Sequence, residues 1–331
     1  MNRPTAFLLG FGVNAAFVPF WQLGSISARW ALLSFVLPVL ASLAVHRLFP
    51  LLAFVPLAVA MITLQWTPVL YDGIGAVLPY AVMTLTAIWA AHLDRDEHLW
   101  VWRGLIIGLL PSIVAGVFQL AFAFHYVGWE IWPTGNEGAS GLFVNRLVYG
   151  EVAALCFIAA IVLNLSNTMR LIPLLGLLQI GLVVGSREAV LAVAVGFMAM
   201  FIQQRRWWKA ALIALLAALA AFVVVAWGYR SGSMALRLHV WSDVLNNLRL
   251  WGHGLGSFDQ MYPLIATQST LQQAPGHVHN DFLELAFELG VLALPMFTVV
   301  LVALLRHRST MWPVLCAIIV EASFEIGRAH V

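Results

Sequence analysis

Apolar runs of about twenty residues recur from one end of the chain to the other, and they leave few folds open. A helix rising 1.5 Å per residue needs about 20 residues to cross roughly 30 Å of hydrocarbon. Such runs lie near Thr5–Leu23, Ala28–Val45, Leu48–Leu64, Ile74–Ala91, Leu99–Phe124, Leu147–Leu165, Leu171–Gly185, Glu188–Gln203, Ala210–Gly228, Phe282–Leu305 and Met311–Phe324. They are continuous rather than alternating, which predicts helices and excludes a closed β-barrel. The third and seventh are short and carry Pro50, Pro56 and Pro173. Only 10% of the 331 residues are charged, against about 25% in a soluble domain, so this chain cannot cover a water-facing surface. The expected fold is all-α, a polytopic transmembrane helical bundle of about 11 spans in a single integral membrane domain, residues 1–324.

Other classes drop out quickly. Cys156 and Cys316 both lie in apolar runs and read as small buried hydrophobes rather than a disulfide. No basic stripe interleaved with aromatics points to nucleic acid. The first span reads as an ordinary helix, not a cleavable signal. Residues 325–331, from Glu325 to Val331, break an apolar span with charge and resemble the translation of a sequencing adapter. They read as a non-native tail, with the eleventh span cut short.

Loop charge predicts orientation. With the N-terminus inside, the inner loops hold Arg3, Arg47, Arg95, Arg170, Arg205, Arg206, Lys209, Arg306 and Arg308, as the positive-inside rule requires. A smaller outer set remains: Arg29, Arg146, Arg187, Arg230, Arg237 and Arg249. Two outer loops are long. His125–Arg146 carries Tyr126, Trp129 and Trp132, aromatics of the kind found at headgroup level. The loop of residues 229–281 contains a helical pattern over Ser233–Leu250, with Leu236, Val240, Val244 and Leu248 on one side and Trp241 and Leu245 beside them. It predicts an amphipathic helix at the outer membrane surface, ended by Gly252 and followed by the turn Gly252–Gly256. That glycine run lacks the Gly-Lys-Ser/Thr of a phosphate-binding P-loop.

The second long loop ends in Gly276-His277-Val278-His279-Asn280-Asp281-Phe282-Leu283-Glu284, where polar residues turn into a hydrophobic run. Asn280 and Asp281 are N-cap residues, and Glu284 stands three after Asp281 as in a capping box. His279 therefore falls at the positive end of a helix. His277 and His279 could begin a zinc site, but no third ligand accompanies them. The alternatives are a structural histidine at the helix mouth and a general base, a role suited to a group that titrates near neutrality. Each outer arginine could be structural. As a group they suit a dianion, because guanidinium forks bind phosphate oxygens bidentately. Glu151, Glu284 and Glu288 stand at or near span ends, where they could hold arginines or reach for water.

These residues resemble a known family. Ser186-Arg187 at a span end, Arg237-Leu238-His239-Val240-Trp241, Gly252-His253-Gly254-Leu255-Gly256-Ser257-Phe258, and His279-Asn280-Asp281-Phe282-Leu283 with Glu288-Leu289-Gly290 are similar in order to the bacterial O-antigen ligase and O-antigen polymerase family. Gly141-Leu142-Phe143-Val144-Asn145-Arg146 with Tyr149-Gly150-Glu151 looks like an earlier motif of it. The resemblance implies a C-type glycosyltransferase-like membrane fold and metal-independent, inverting transfer with no cofactor. It implies a glycan donor on undecaprenyl diphosphate, used at the periplasmic face of the bacterial inner membrane. His279 then corresponds to the essential histidine that activates the acceptor hydroxyl. Arg187 and Arg237, joined by Arg146, correspond to arginines that hold the diphosphate, and Asn280, Glu284 and Trp241 are supporting residues. Two departures are visible: Glu188 where a small residue often follows Ser-Arg, and Ala293 where glycine is common.

The expected function is transfer of the glycan to lipid A–core. A repeat-unit polymerase or a protein O-oligosaccharyltransferase would use the same donor chemistry, and fold does not separate them. A transporter of lipid-linked sugar would need charge near the bilayer midplane and repeated halves, neither of which is evident.

Overall fold

The computed structural model describes residues 3–17, 49–122, 124–127, 130–133, 139–143, 146–181, 187–216, 233–267, 278–298 and 311–323. Helix dominates them. Two helices are long and apolar enough to cross a membrane, Leu70–Ala90 with 21 residues and Arg95–Phe122 with 28. The second consists of Arg95–Ile107 and Leu110–Phe122 joined by a turn at Gly108 and Leu109. Phe49–Thr63, Arg146–Val162, Asn167–Gly181, Arg187–Gln203, Trp207–Leu216 and Trp312–Ser323 are shorter apolar helices on other predicted spans. The predicted span Ala28–Val45, His277 and residues 325–331 lie outside the described residues.

Local chemistry explains the boundaries. Asp94 accepts from the Glu97 N–H at 2.8 Å while Glu97 accepts from the Asp94 N–H at 2.9 Å, a full capping box that starts Arg95–Ile107. That helix lies against the N-terminal helix Arg3–Gly12, with Arg3 on Asp96 at 2.6 Å at their starts and Gly10 on Val101 and Leu105 further along. The two helices therefore run in the same direction. They approach closely because Gly10 faces the Val101 carbonyl and Gly104 faces the Phe7 carbonyl, with no room for a Cβ at either.

Three differences from the sequence reading have physical causes. The loop after Phe122 is not all irregular: Phe124–Val127 pairs antiparallel with Glu130–Pro133, Phe124 opposite Pro133 and Val127 opposite Glu130. The run Phe282–Leu305 is not one continuous helix. Asp281–Leu289 stops at Gly290, whose φ of +58° and ψ of −133° no helix accepts, and a helix resumes at residues 293–298. The helix predicted over Ser233–Leu250 ends at Asn246, so Leu248 leaves the apolar stripe and is exposed.

Among the described residues, apolar packing divides into three clusters. The largest gathers Trp102, Leu105, Phe143, Tyr149, Leu155, Ile158, Val314 and Ile318 from the bundle. A second joins Val59, Ala60 and Tyr80 to Leu255, Leu289 and Met296. The third lies wholly in the later loop and the helix after it: Val240, Val244, Phe258, Tyr262, Val278 and Phe287. The long loop thus carries a core of its own.

Overpacking a close helix crossing costs typically about 1–3 kcal/mol. Gly104→Leu is expected to lower the unfolding temperature in detergent, whereas Gly12→Ala, whose added Cβ meets nothing within 4 Å, is expected to leave it unchanged; scanning calorimetry of both checks this.

Candidate active site

His279 sits immediately before the helix Asp281–Leu289 with φ of +61°. A non-glycine residue in this left-handed region is uncommon and is held there by its surroundings. The surroundings are visible on both sides. The Val278 N–H donates to Glu284 Oε2 at 2.9 Å, and the Val278 carbonyl accepts from Trp241 Nε1 at 3.0 Å. Asn280 caps the helix, its Oδ1 accepting from the Leu283 N–H at 3.0 Å, while its Nδ2 donates to the Ser323 carbonyl at 3.1 Å. The residues on either side of His279 are therefore held from three helices. The capping box expected from Asp281 and Glu284 is shifted: the N-cap is Asn280, and Glu284 reaches back past it to Val278.

Trp241 also fixes where Arg237 is. The two are four residues apart on Ser233–Asn246 and so share a face. Arg237 is half-buried one turn from the indole that holds Val278. The same helix is anchored at Asp243, whose buried carboxylate accepts from Tyr262 Oη at 3.1 Å and from the Thr267 N–H at 3.3 Å. Val240 and Val244 close the core beneath it.

Arg146 and Arg187 each open a helix, Arg146–Val162 and Arg187–Gln203. Their relation follows from packing and chain reach. Tyr149 Oη donates to Gln179 Oε1 at 2.8 Å, and Gly176 faces Tyr149 and Ala153, so Asn167–Gly181 runs antiparallel to Arg146–Val162 and ends near its start. Gly196 lies on Ile158, and Phe157 meets Phe197. If Arg187–Gln203 ran opposite to Arg146–Val162, Arg187 would stand roughly 30 Å along the axis from Gly181. The six Cα–Cα steps between them reach at most about 20 Å. The two helices are therefore parallel, and both arginines stand at the same end. Trp312–Ser323 packs against both helices and by its last residue holds Asn280. One helix thus connects the arginine-bearing helices to the His279 corner.

The approach to Arg146 is held by a residue to which sequence reading gave no role. Gln119, buried in Leu110–Phe122, accepts from the N–H groups of Ser140 and Gly141 at 2.9 and 2.8 Å and donates to the Gly141 carbonyl at 2.8 Å. Gly141 turns there with φ of +63°. A glutamine in an apolar helix was a visible signal, but its partner lies across a loop whose path the sequence does not show.

The Gly252–Gly256 run does not offer its N–H groups to a ligand. The Gly252 N–H donates to the Arg249 carbonyl, that of His253 to Phe287 and that of Gly254 to Glu288. The last two cap the free carbonyls at the end of Asp281–Leu289. The His253 ring stacks on Phe287 at 4.0 Å between centroids and its Nε2–H donates to the Asn247 carbonyl at 2.9 Å. Glu288 is buried rather than turned to water, with the Phe258 N–H on its Oε1 at 3.2 Å. Among the described residues, no group of three or more His, Cys, Asp or Glu side chains could hold a metal ion.

Residues 172–298 match the family model described as O-antigen ligase. That stretch, under half of the chain, contains Arg187, Arg237 and His279; Arg146 precedes it. The chain matches no curated protein and no solved structure. The match supports a likeness of residues 172–298 to the O-antigen ligase and polymerase family, whose members are glycosyltransferase-like membrane enzymes.

Burial holds the His253 imidazole below its ordinary pKa, the Asn247 carbonyl opposes this in part, and Arg249 adds to it. The folded value is depressed, so its contribution to stability is complete above the ordinary value of about 6.5 and is lost as pH falls through the lowered one. Thermal unfolding between pH 8 and 5 should show the wild type losing stability in the acid part of that range. His253→Gln should give a flatter profile, and parallel profiles would contradict this.

Proposed function

We propose, from that family footing, that the protein is an O-antigen ligase-like glycosyltransferase. It moves a glycan from undecaprenyl diphosphate to lipid A–core at the periplasmic face of the inner membrane. The observation that carries this reading is the corner at His279. A histidine in a strained backbone conformation is held beside the Arg237 helix by Trp241, Glu284 and Asn280.

The chemistry follows from the residue types. His279 takes the proton of the acceptor hydroxyl as its oxygen bonds to the anomeric carbon. The bond from that carbon to the diphosphate oxygen breaks, and undecaprenyl diphosphate leaves with the electron pair. A single displacement inverts the anomeric centre. Negative charge grows on the leaving group, where Arg187, Arg237 and Arg146 stabilise it through fork-shaped donors that stay charged. Neither role calls for a metal. The apolar bundle and the surface helix hold the polyprenyl tail within the bilayer.

Purified protein given undecaprenyl-diphosphate glycan and either lipid A–core or a second lipid-linked repeat should form product with metal chelated, and lipid A–core should be the acceptor used. Product on the second repeat instead would make it a polymerase. His279→Ala should lower turnover by about 10²–10⁴-fold while the protein stays folded, the usual range for a general base; undiminished turnover would contradict the base role. Arg187→Lys should also slow transfer, because a point charge does not replace a bidentate fork. Unchanged donor binding and turnover in that variant would remove Arg187 from the diphosphate site.

A further inference from the structure

We propose that Glu288 is a positioning residue for the transfer reaction: it fixes the far end of the helix that follows His279 and so sets where the imidazole stands. The proposal rests on His279 being the base. Glu288 lies in the last turn of Asp281–Leu289, seven residues beyond the N-terminal Asp281, and is 6% exposed. A buried carboxylate is costly unless N–H groups satisfy it. Here they come from Gly256, Ser257 and Phe258, with the Phe258 N–H at 3.2 Å. The last belongs to the first residue of the helix Phe258–Ile265, and the other two to its N-cap Ser257 and to the Gly256 before it. Glu288 therefore holds, from another helix, the peptides that lead into Phe258–Ile265.

The same residue holds the preceding loop by its main chain. Its carbonyl accepts from the Gly254 N–H at 2.9 Å, and Gly252 lies directly against it. The loop is wedged from the other side as well. Gly254, with φ of +99°, packs on the Thr67 backbone, Thr67 Oγ1 donates to the Leu255 carbonyl at 3.1 Å, and Gly256 packs on Asp72 and Ala76 at the start of Leu70–Ala90. Glu288 therefore ties the His279 helix to a membrane-length helix through a loop that has no slack. The His279 helix is short, roughly 13 Å for nine residues. A tilt of about 5° from the Glu288 end moves the other end by about 1 Å, a displacement that can cost ~10²-fold in rate.

Length and acceptor geometry, not charge, are what this role needs. Glu288→Gln keeps a carbonyl oxygen at the same reach; Glu288→Asp keeps the charge and withdraws it by one methylene. Turnover per folded molecule is measured for both, and for Glu288→Ala, with undecaprenyl-diphosphate glycan and lipid A–core or whichever acceptor the wild type uses. Glu288→Asp and Glu288→Ala should lose about 10²-fold in kcat with the donor KM changed less than about threefold, and Glu288→Gln should recover kcat to within about fivefold of wild type. Should Glu288→Ala not fold, the Asp and Gln pair decides alone. Wild-type kcat in Glu288→Asp, or a Gln variant as slow as the Asp variant, overturns the proposal. His279→Ala, run alongside, separates the two levels. If that variant is fully active, the base assignment fails; if it is inactive while Glu288→Asp is unimpaired, only the positioning role fails.

Discussion

Val278 has one N–H and one carbonyl, and side chains from two helices take both. Glu284 accepts the N–H from within the helix that follows, and Trp241 donates to the carbonyl from the helix that precedes. A peptide fixed on both sides leaves the next residue little conformational choice, and His279 is found in the left-handed region. Because Trp241 is engaged there, the helix Ser233–Asn246 cannot slide without moving His279. The apolar cluster of Val240, Val244, Phe258, Val278 and Phe287 then keeps water from competing for these bonds.

This constraint gives the long loop its meaning. A segment of that length without structure would be a poor platform for chemistry. Here it is a small folded unit. Asp243 joins the helices Ser233–Asn246 and Phe258–Ile265, His253 seats the turn between them on Phe287, and Glu288 stitches it to the bundle. The bundle contributes in turn through Ser323, which holds Asn280. The parallel helices that begin with Arg146 and Arg187 are linked to the same corner by Trp312–Ser323.

Much of this was legible in the sequence where the cause was local. Hydrophobic runs marked the helices because burial in lipid demands them, and Asn280 and Glu284 announced a helix start. Trp241 was visible as an aromatic on an apolar stripe, though its partner was not. What the sequence hid was non-local. Glu284 looks like a capping-box residue for Asp281, yet it bonds Val278, because the helix starts one residue earlier and its first turn faces back toward the loop. The run from Phe282 looks continuous, and Gly290, set against the Leu250 carbonyl, breaks it. The partners of the glycines at 252, 254 and 256 were also hidden: the first two N–H groups meet main-chain carbonyls and the third meets the Glu288 carboxylate. Gln119 could not be paired with Ser140 and Gly141 without knowing how the intervening hairpin returns the chain.

A double-variant cycle between Trp241 and His279 tests the positioning of the base most directly. Transfer from undecaprenyl-diphosphate glycan is measured for Trp241→Phe, His279→Gln and the double variant, each corrected for folded protein. If the indole acts by holding Val278 and thereby His279, Trp241→Phe should slow the wild type by about tenfold and leave the residual rate of His279→Gln unchanged, a coupling of about 1.4 kcal/mol. Losses that simply add would show that Trp241 and His279 act independently, and would contradict the account.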